Sequence, residues 1–225
     1  MNLFDIVGPV MIGPSSSHTA GAVKIGNICR KLFDEKLVRA KIGLHGSFLL
    51  TGRGHGTDKA LVGGLLGLSV DDARIPFSFD IAKEDGMEVE IFGIDLGDVH
   101  PNSVKLELQG EGEKTLEIVA ASIGGGRIQI CEIDGITVNF SGDFPTLVVH
   151  NLDMPGHVTA VSGLLGKNNI NIATMQLYRK KRGGEAVMVL ECDQEVSKEI
   201  RDVIEKMDGI LKVTYLGLDR RDENV

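Results

Sequence analysis

The stretch TLVVHNLDMPGHVTAVSGLLGKNNINIATMQLYRKKRGGEAVMVLECDQEVSKEIRDVIEKMDGILKVTYL, residues 146 to 216, decides the fold because its hydrophobic period switches in a fixed order. Thr146 to His150 is a short β-branched run. The Asp153-Met154-Pro155-Gly156 turn then leads into a helix with Val158, Val161, Leu164 and Leu165 on its apolar face. Ile170 to Tyr178 alternates as a strand, Lys180 to Gly184 turns the chain, and Ala186 to Leu190 is a second strand. Val196, Ile200, Val203, Ile204 and Met207 share one face of a second helix, which Gly209 ends before a strand from Ile210 to Leu216. The order βαββαβ predicts a ferredoxin-like domain, two helices on one face of a four-stranded antiparallel sheet, whose other face or edge calls for a partner.

Upstream, Ser141-Gly142-Asp143-Phe144-Pro145 is turn-rich and lies between apolar runs, so the reading divides the chain into residues 1 to 145 and 146 to 225. Composition shifts at the same place. Of 29 glycines, 22 precede residue 146, as do four of six histidines. Such glycine density points to tight turns or to backbone that must approach a ligand.

The first part reads as a mixed α/β domain, which makes the whole chain α+β. Ile25, Ile28, Cys29, Leu32 and Phe33 define an amphipathic helix starting just after Ser17-His18-Thr19. A strand is expected from Val38 to Leu44, and a helix from Thr57 to the Gly67 stop. Gly63 and Gly64 inside that helix cost about 1 kcal/mol each against Ala, so close packing there is the expected reason for them. From Glu88, short alternating runs at Val104 to Leu108, Leu116 to Ala120, Ile128 to Ile133 and Ile136 to Phe140 predict an antiparallel sheet with turns at Gly110-Glu111-Gly112 and Asp134-Gly135.

Charge and composition exclude several function classes. A net charge of -8 argues against a phosphate-backbone partner, and Trp is absent. No secretory signal or membrane-spanning stretch is evident, so no membrane partner and a cytoplasmic location are expected. Cys29, Cys131 and Cys192 are widely spaced, with no C-x-x-C; they read as reduced thiols in the core, and no metal site is expected on this chain.

The candidate chemistry begins at Gly13-Pro14-Ser15-Ser16-Ser17-His18-Thr19. Three hydroxyls and an imidazole directly before a helix sit beside unpaired amides at its positive end, a setting suited to a carboxylate or phosphate. A second cluster, His45-Gly46-Ser47 and Gly52-Arg53-Gly54-His55-Gly56-Thr57, adds an Arg able to grip a carboxylate through two hydrogen bonds. Neither dinucleotide-fingerprint nor P-loop spacing is met. Ser122-Ile123-Gly124-Gly125-Gly126-Arg127 fits an anion nest or a β-bulge equally well.

Four motifs in one order, GPSSSHTAGAVKIG, LHGSFLLTGRGHGTDKALVGGLLG, HPNS at His100 to Ser103 and SIGGGRI, resemble the β chains of bacterial iron-sulfur-dependent L-serine dehydratases over nearly the whole chain. The first part is similar to the allosteric substrate-binding (ASB-type) domain of some phosphoglycerate dehydrogenases, the second to an ACT domain. The resemblance implies a lyase subunit that, with an α chain carrying a four-iron four-sulfur (4Fe-4S) cluster as Lewis acid, converts L-serine to pyruvate and ammonia. It implies that Ser15, Ser16, Ser17, His18, Thr19, Arg53, His55 and Thr57 face the inter-subunit site, where they hold the substrate carboxylate or order the active site; no proton-transfer role is assigned to this chain. By position it further implies self-association through the ACT domain, with Asn151, Asp153, Gly156 and Asn171 as ligand candidates. A free-standing amino-acid sensor is the alternative.

Overall fold

The computed structural model describes residues 10–33, 35–112 and 114–217, which form two compact units divided between Gly135 and Ile136. The division falls ten residues before the 145/146 boundary expected from composition, so the strand Ile136–Phe140 counts with the second unit.

In the first unit, a five-residue π-helical turn, Ser16–Ala20, runs without a break into α1 (Gly21–Phe33). The segment expected to lie before the helix is therefore a wide turn of the helix itself. β1 (Leu37–Leu44), α2 (Gly46–His55) and α3 (Thr57–Leu65) follow, then α4 (Ser78–Glu84), β2 (Glu88–Gly93), β3 (Ser103–Gly110), β4 (Thr115–Gly124) and β5 (Arg127–Ile133). Helices α2 and α4 were not foreseen. The strand order is β2-β1-β3-β4-β5. The pairs predicted as antiparallel, β3 with β4 and β4 with β5, are antiparallel, as is β1 with β3; β1 and β2, for which the sequence predicted no pairing direction, run parallel, so the sheet is mixed.

Helix α1 packs on β4 and β5 and crosses α3. Its apolar face, Ile25, Ile28, Cys29, Leu32 and Phe33, is buried with Leu106, Ile118 and Ile130 of the sheet. The α1–α3 crossing depends on glycine. A Cβ on Gly64 would stand 2.2 Å from the Val23 carbonyl oxygen, and one on Gly26 would stand 2.4 Å from that of Leu61. Gly64 therefore has the packing role expected of it. Gly63 faces Ile75 at an ordinary 3.4 Å.

The second unit contains β6 (Ile136–Phe140), β7 (Thr146–Leu152), α5 (His157–Lys167), β8 (Ile172–Arg179), β9 (Glu185–Cys192), α6 (Lys198–Glu205) and β10 (Ile210–Leu216). From β7 onward this is the predicted βαββαβ order, in an antiparallel sheet β10-β7-β9-β8. Its core joins Leu147, Val149, Met188, Leu190 and Cys192 to Val161 and Leu165 of α5 and Ile204 of α6. Ser197 caps α6, which ends at Glu205 with Lys206 as C-cap, four residues before the expected Gly209; Gly209, φ +76°, turns the chain into β10. The sheet face away from the helices, expected to await a partner, is already buried along β7 and β9, and β6 packs against β8 and β9. Among the described residues no helix is long and apolar enough to cross a membrane.

Candidate functional site

The π turn sets the geometry of the site. Ser15 is extended and caps it: its Oγ accepts from the His18 amide at 3.1 Å, and its carbonyl accepts from the amides of Thr19 (2.9 Å) and Ala20 (3.3 Å). The Gly21 amide bonds to the Ser16 carbonyl, closing the wide turn. Four of the amides expected to face an anion are thus satisfied inside the turn. Ser16 and Ser17 are half-buried, and their hydroxyls have no partner among the described residues.

His18 is carried by this turn onto α2. Its Nε2 lies 3.0 Å from Ser47 Oγ and 3.0 Å from Thr51 Oγ1. The ring meets the edge of buried Phe48 at 5.4 Å between centroids and lies 4.9 Å from the His55 ring. Burial, and next the neighbouring His55, hold the His18 pKa below its ordinary value, against an opposing hydrogen bond with the Ser47 backbone. The ring is therefore neutral at pH 7. His55 is locked in turn: its Nδ1 donates to the Thr51 carbonyl at 3.1 Å, and its own carbonyl accepts from Thr19 Oγ1 at 3.1 Å.

The other two motifs form the framework behind this cluster. Pro101 of the HPNS segment accepts from the Ser47 amide at 2.7 Å, and the Ser103 carbonyl accepts from the His45 amide at 3.1 Å. Asn102 exchanges bonds with Ser122, whose amide donates to the Asn102 carbonyl at 3.0 Å. The Ser122 hydroxyl is buried against Gly21, where a Cβ would come within 2.1 Å of it. Gly124, Gly125 and Gly126 all have positive φ and turn β4 into β5 beside a register shift, so this run is a bulged hairpin.

The structure brings Ser15, His18, Thr19 and His55 together and leaves out two residues expected with them. Thr57 is fully buried at the start of α3, beneath α2, where Gly52 leaves it room; a ligand has no surface of Thr57 to reach. Arg53 is exposed on the last turn of α2, with no ion-pair partner among the described residues. Ser47, named in the second cluster but given no role, and Thr51, which the sequence reading did not single out, hold His18. Their i, i+4 spacing is the signal that marks them, once residues 46–55 are known to be a helix.

The histidines do not gather as ligands. His45 Nδ1 accepts from the Leu96 amide at 3.2 Å, next to Asp95. Among the described residues no group of three His, Cys, Asp or Glu side chains is placed to hold a metal ion. The three cysteines are free thiols; burial pushes Cys29 up strongly and Cys192 up to about 11. They do not fit a thiolate-ligated cluster, which needs ionised, clustered sulfurs.

In the second unit, Asn151 is buried, with Nδ2 donating to the Leu152 carbonyl and its Oδ1 unpartnered among the described residues. Asp153 is spent within the chain: its carboxylate accepts from Gly183 N at 2.9 Å and Arg179 Nη1 at 2.8 Å, which holds it below the usual carboxylate range and pins the 180–184 turn. Gly156, φ +102°, starts α5 with open space around it. Asn171 lies at the other end of the sheet. It directly precedes Ile172, opposite Cys192, whereas Asn151 stands opposite Ala186.

An α+β chain of two units, one gathering a neutral histidine among hydroxyls and the other a βαββαβ sheet, defines a class, and residues 146–209 match the ACT domain family within it. Residues 2–91 match the family described as serine dehydratase beta chain. The chain is 44% identical to a probable L-serine dehydratase beta chain of Bacillus subtilis, over 96% of this chain and 97% of that one. It is 36% identical to the L-serine dehydratase beta chain of Peptoniphilus asaccharolyticus, over 95% and 96%. A D-3-phosphoglycerate dehydrogenase of Methanocaldococcus jannaschii is 29% identical over 92% of this chain but only 39% of its own length. The chain belongs to the serine dehydratase beta chain family.

Proposed function

We propose that this chain is the β subunit of an L-serine dehydratase, acting with a separate α chain in the conversion of L-serine to pyruvate and ammonia. The observation that carries this reading is the placement of His18, with hydroxyls from two elements around it, where all four family-like motifs meet. The proposed role of this chain is to bind and orient: His18 and the free Ser16 and Ser17 hydroxyls face the substrate, and Ser47, Thr51 and His55 hold His18 in place. The iron-sulfur cluster the family implies is assigned to the α chain. The ACT unit is assigned self-association. Because Asn151 and Asn171 lie at opposite ends of one sheet, an amino-acid ligand touching both would need a second copy.

Anaerobic co-expression with a cysteine-bearing chain tests the reading. Co-purification and pyruvate formation from L-serine support it; a β chain that purifies alone, beside a fully active α chain, overturns it. The similarity to dehydrogenases over 92% of the chain favours one second reading, an amino-acid-binding regulatory module. That reading gains if the chain binds L-serine alone and adds no turnover to any α chain.

A further inference from the structure

The hydrogen bonds around His18 bear on which nitrogen carries its proton. Thr51 Oγ1 lies 2.9 Å from the Ser47 carbonyl four residues back, which can only accept, and we assign its single hydrogen to that bond. What Thr51 then presents to His18 Nε2, at 3.0 Å, is lone pairs only. An unprotonated Nε2 would face them with another lone pair at hydrogen-bond distance. With the Thr51 hydrogen on that carbonyl, the contact is favourable when Nε2 carries the hydrogen, which Ser47 Oγ, also at 3.0 Å, can share. In a neutral imidazole the other nitrogen is then an acceptor, and the side-chain contacts of the ring, to Ser47 Oγ and Thr51 Oγ1, are both made at Nε2.

We infer that Thr51 is a positioning residue that fixes His18 as the Nε2–H tautomer, so that Nδ1 accepts a hydrogen bond from a donor group of the ligand, an ammonium or a hydroxyl. This rests on the functional reading above and deepens it. It also reassigns the ends of the site: the imidazole takes the donor end of an amino acid, and a carboxylate is left to the Ser16 and Ser17 hydroxyls. The lowered His18 pKa supports the assignment, because a neutral ring keeps its acceptor near pH 7.

The tautomer is readable on the full β chain by long-range proton–nitrogen NMR of labelled histidine. The inference expects a protonated Nε2 and a bare Nδ1 at His18, a shift toward mixed tautomers in Thr51→Val, and restoration in Thr51→Ser. A protonated Nδ1 in the unsubstituted chain, or a Thr51→Val spectrum unchanged at His18, overturns it. Thr51 is exposed, so the substitution leaves the core intact. In the co-expressed complex, Thr51→Val should raise KM for L-serine about tenfold, the loss expected for a weakened bond to a charged group, and Thr51→Ser should reverse it. A KM unmoved by Thr51→Val overturns the assignment of a ligand donor to Nδ1. Absence of serine turnover in the unsubstituted complex counts against the functional reading alone, since the tautomer is measured without it.

Discussion

Gly26 and Gly64 meet backbone to backbone where α1 crosses α3: a Cβ built on either would lie 2.8 Å from the other's Cα. Helices that close leave no room for a methyl group, and α1 carries the π turn on which His18 sits, so the crossing sets where the site is placed. Gly64→Ala is therefore expected to destabilise the chain by about 2–3 kcal/mol through overpacking, measured by denaturant unfolding. Gly54→Ala is the control. Gly54 lies in α2 with nothing within 4 Å of its would-be Cβ, so alanine there should be neutral or stabilising by up to about 1 kcal/mol.

Ser15 holds the π turn through its side chain, which accepts from the His18 amide. Ser15→Ala is expected to cost about 1 kcal/mol as a lost cap and to raise amide exchange at His18 and Thr19. Unchanged exchange there would remove the capping role.

The pH dependence follows from the direction of the His18 shift. Its folded pKa lies below the unfolded value near 6.5, so the folded state disfavours the charged ring. Above about pH 6.5 both states are neutral and stability is unaffected; as pH falls from there through the lower folded pKa, stability is lost, then levels off. The slope of unfolding free energy against pH in that window should shrink in His18→Gln. An NMR titration of His18 with a midpoint above 6.5 would contradict the burial and His55 effects together.

Asp153 and Asn171 make opposite predictions about the second unit. Asp153→Asn should loosen the 180–184 turn, seen as faster exchange of the Gly183 amide, whose acceptor is the carboxylate. Asn171→Ala leaves that turn untouched. If L-serine binds between two copies, the variant loses its heat in isothermal titration and the unsubstituted chain loses it on dilution to monomer. Undiminished heat from Asn171→Ala would leave the unit with self-association only.

The second unit was legible almost element by element because each strand and helix there has a clean period and turn residues follow it, down to Gly209 before β10. The first unit was harder for physical reasons. Helix α2 contains Gly46, Gly52 and Gly54 and buries only Phe48 and Gly52, so neither propensity nor periodicity marks it. Its stability comes from contacts the sequence does not display: Pro101 accepting its first amides, Thr57 beneath Gly52, and Gly56 in the left-handed region at its end. Missing α2 hid Thr51 and the i, i+4 pairing of Ser47 with it, and made Thr57 look exposed. The parallel β1–β2 pair was invisible for a different reason, since a period of two is the same in either direction.

The central claim, that His18 belongs to the substrate site of a serine dehydratase, is tested most directly by the steady-state kinetics of His18→Ala in the complex with its α chain. The account predicts that kcat/KM for L-serine falls by at least about tenfold while the two chains still co-purify. Full kcat/KM in a complex of normal composition would contradict it.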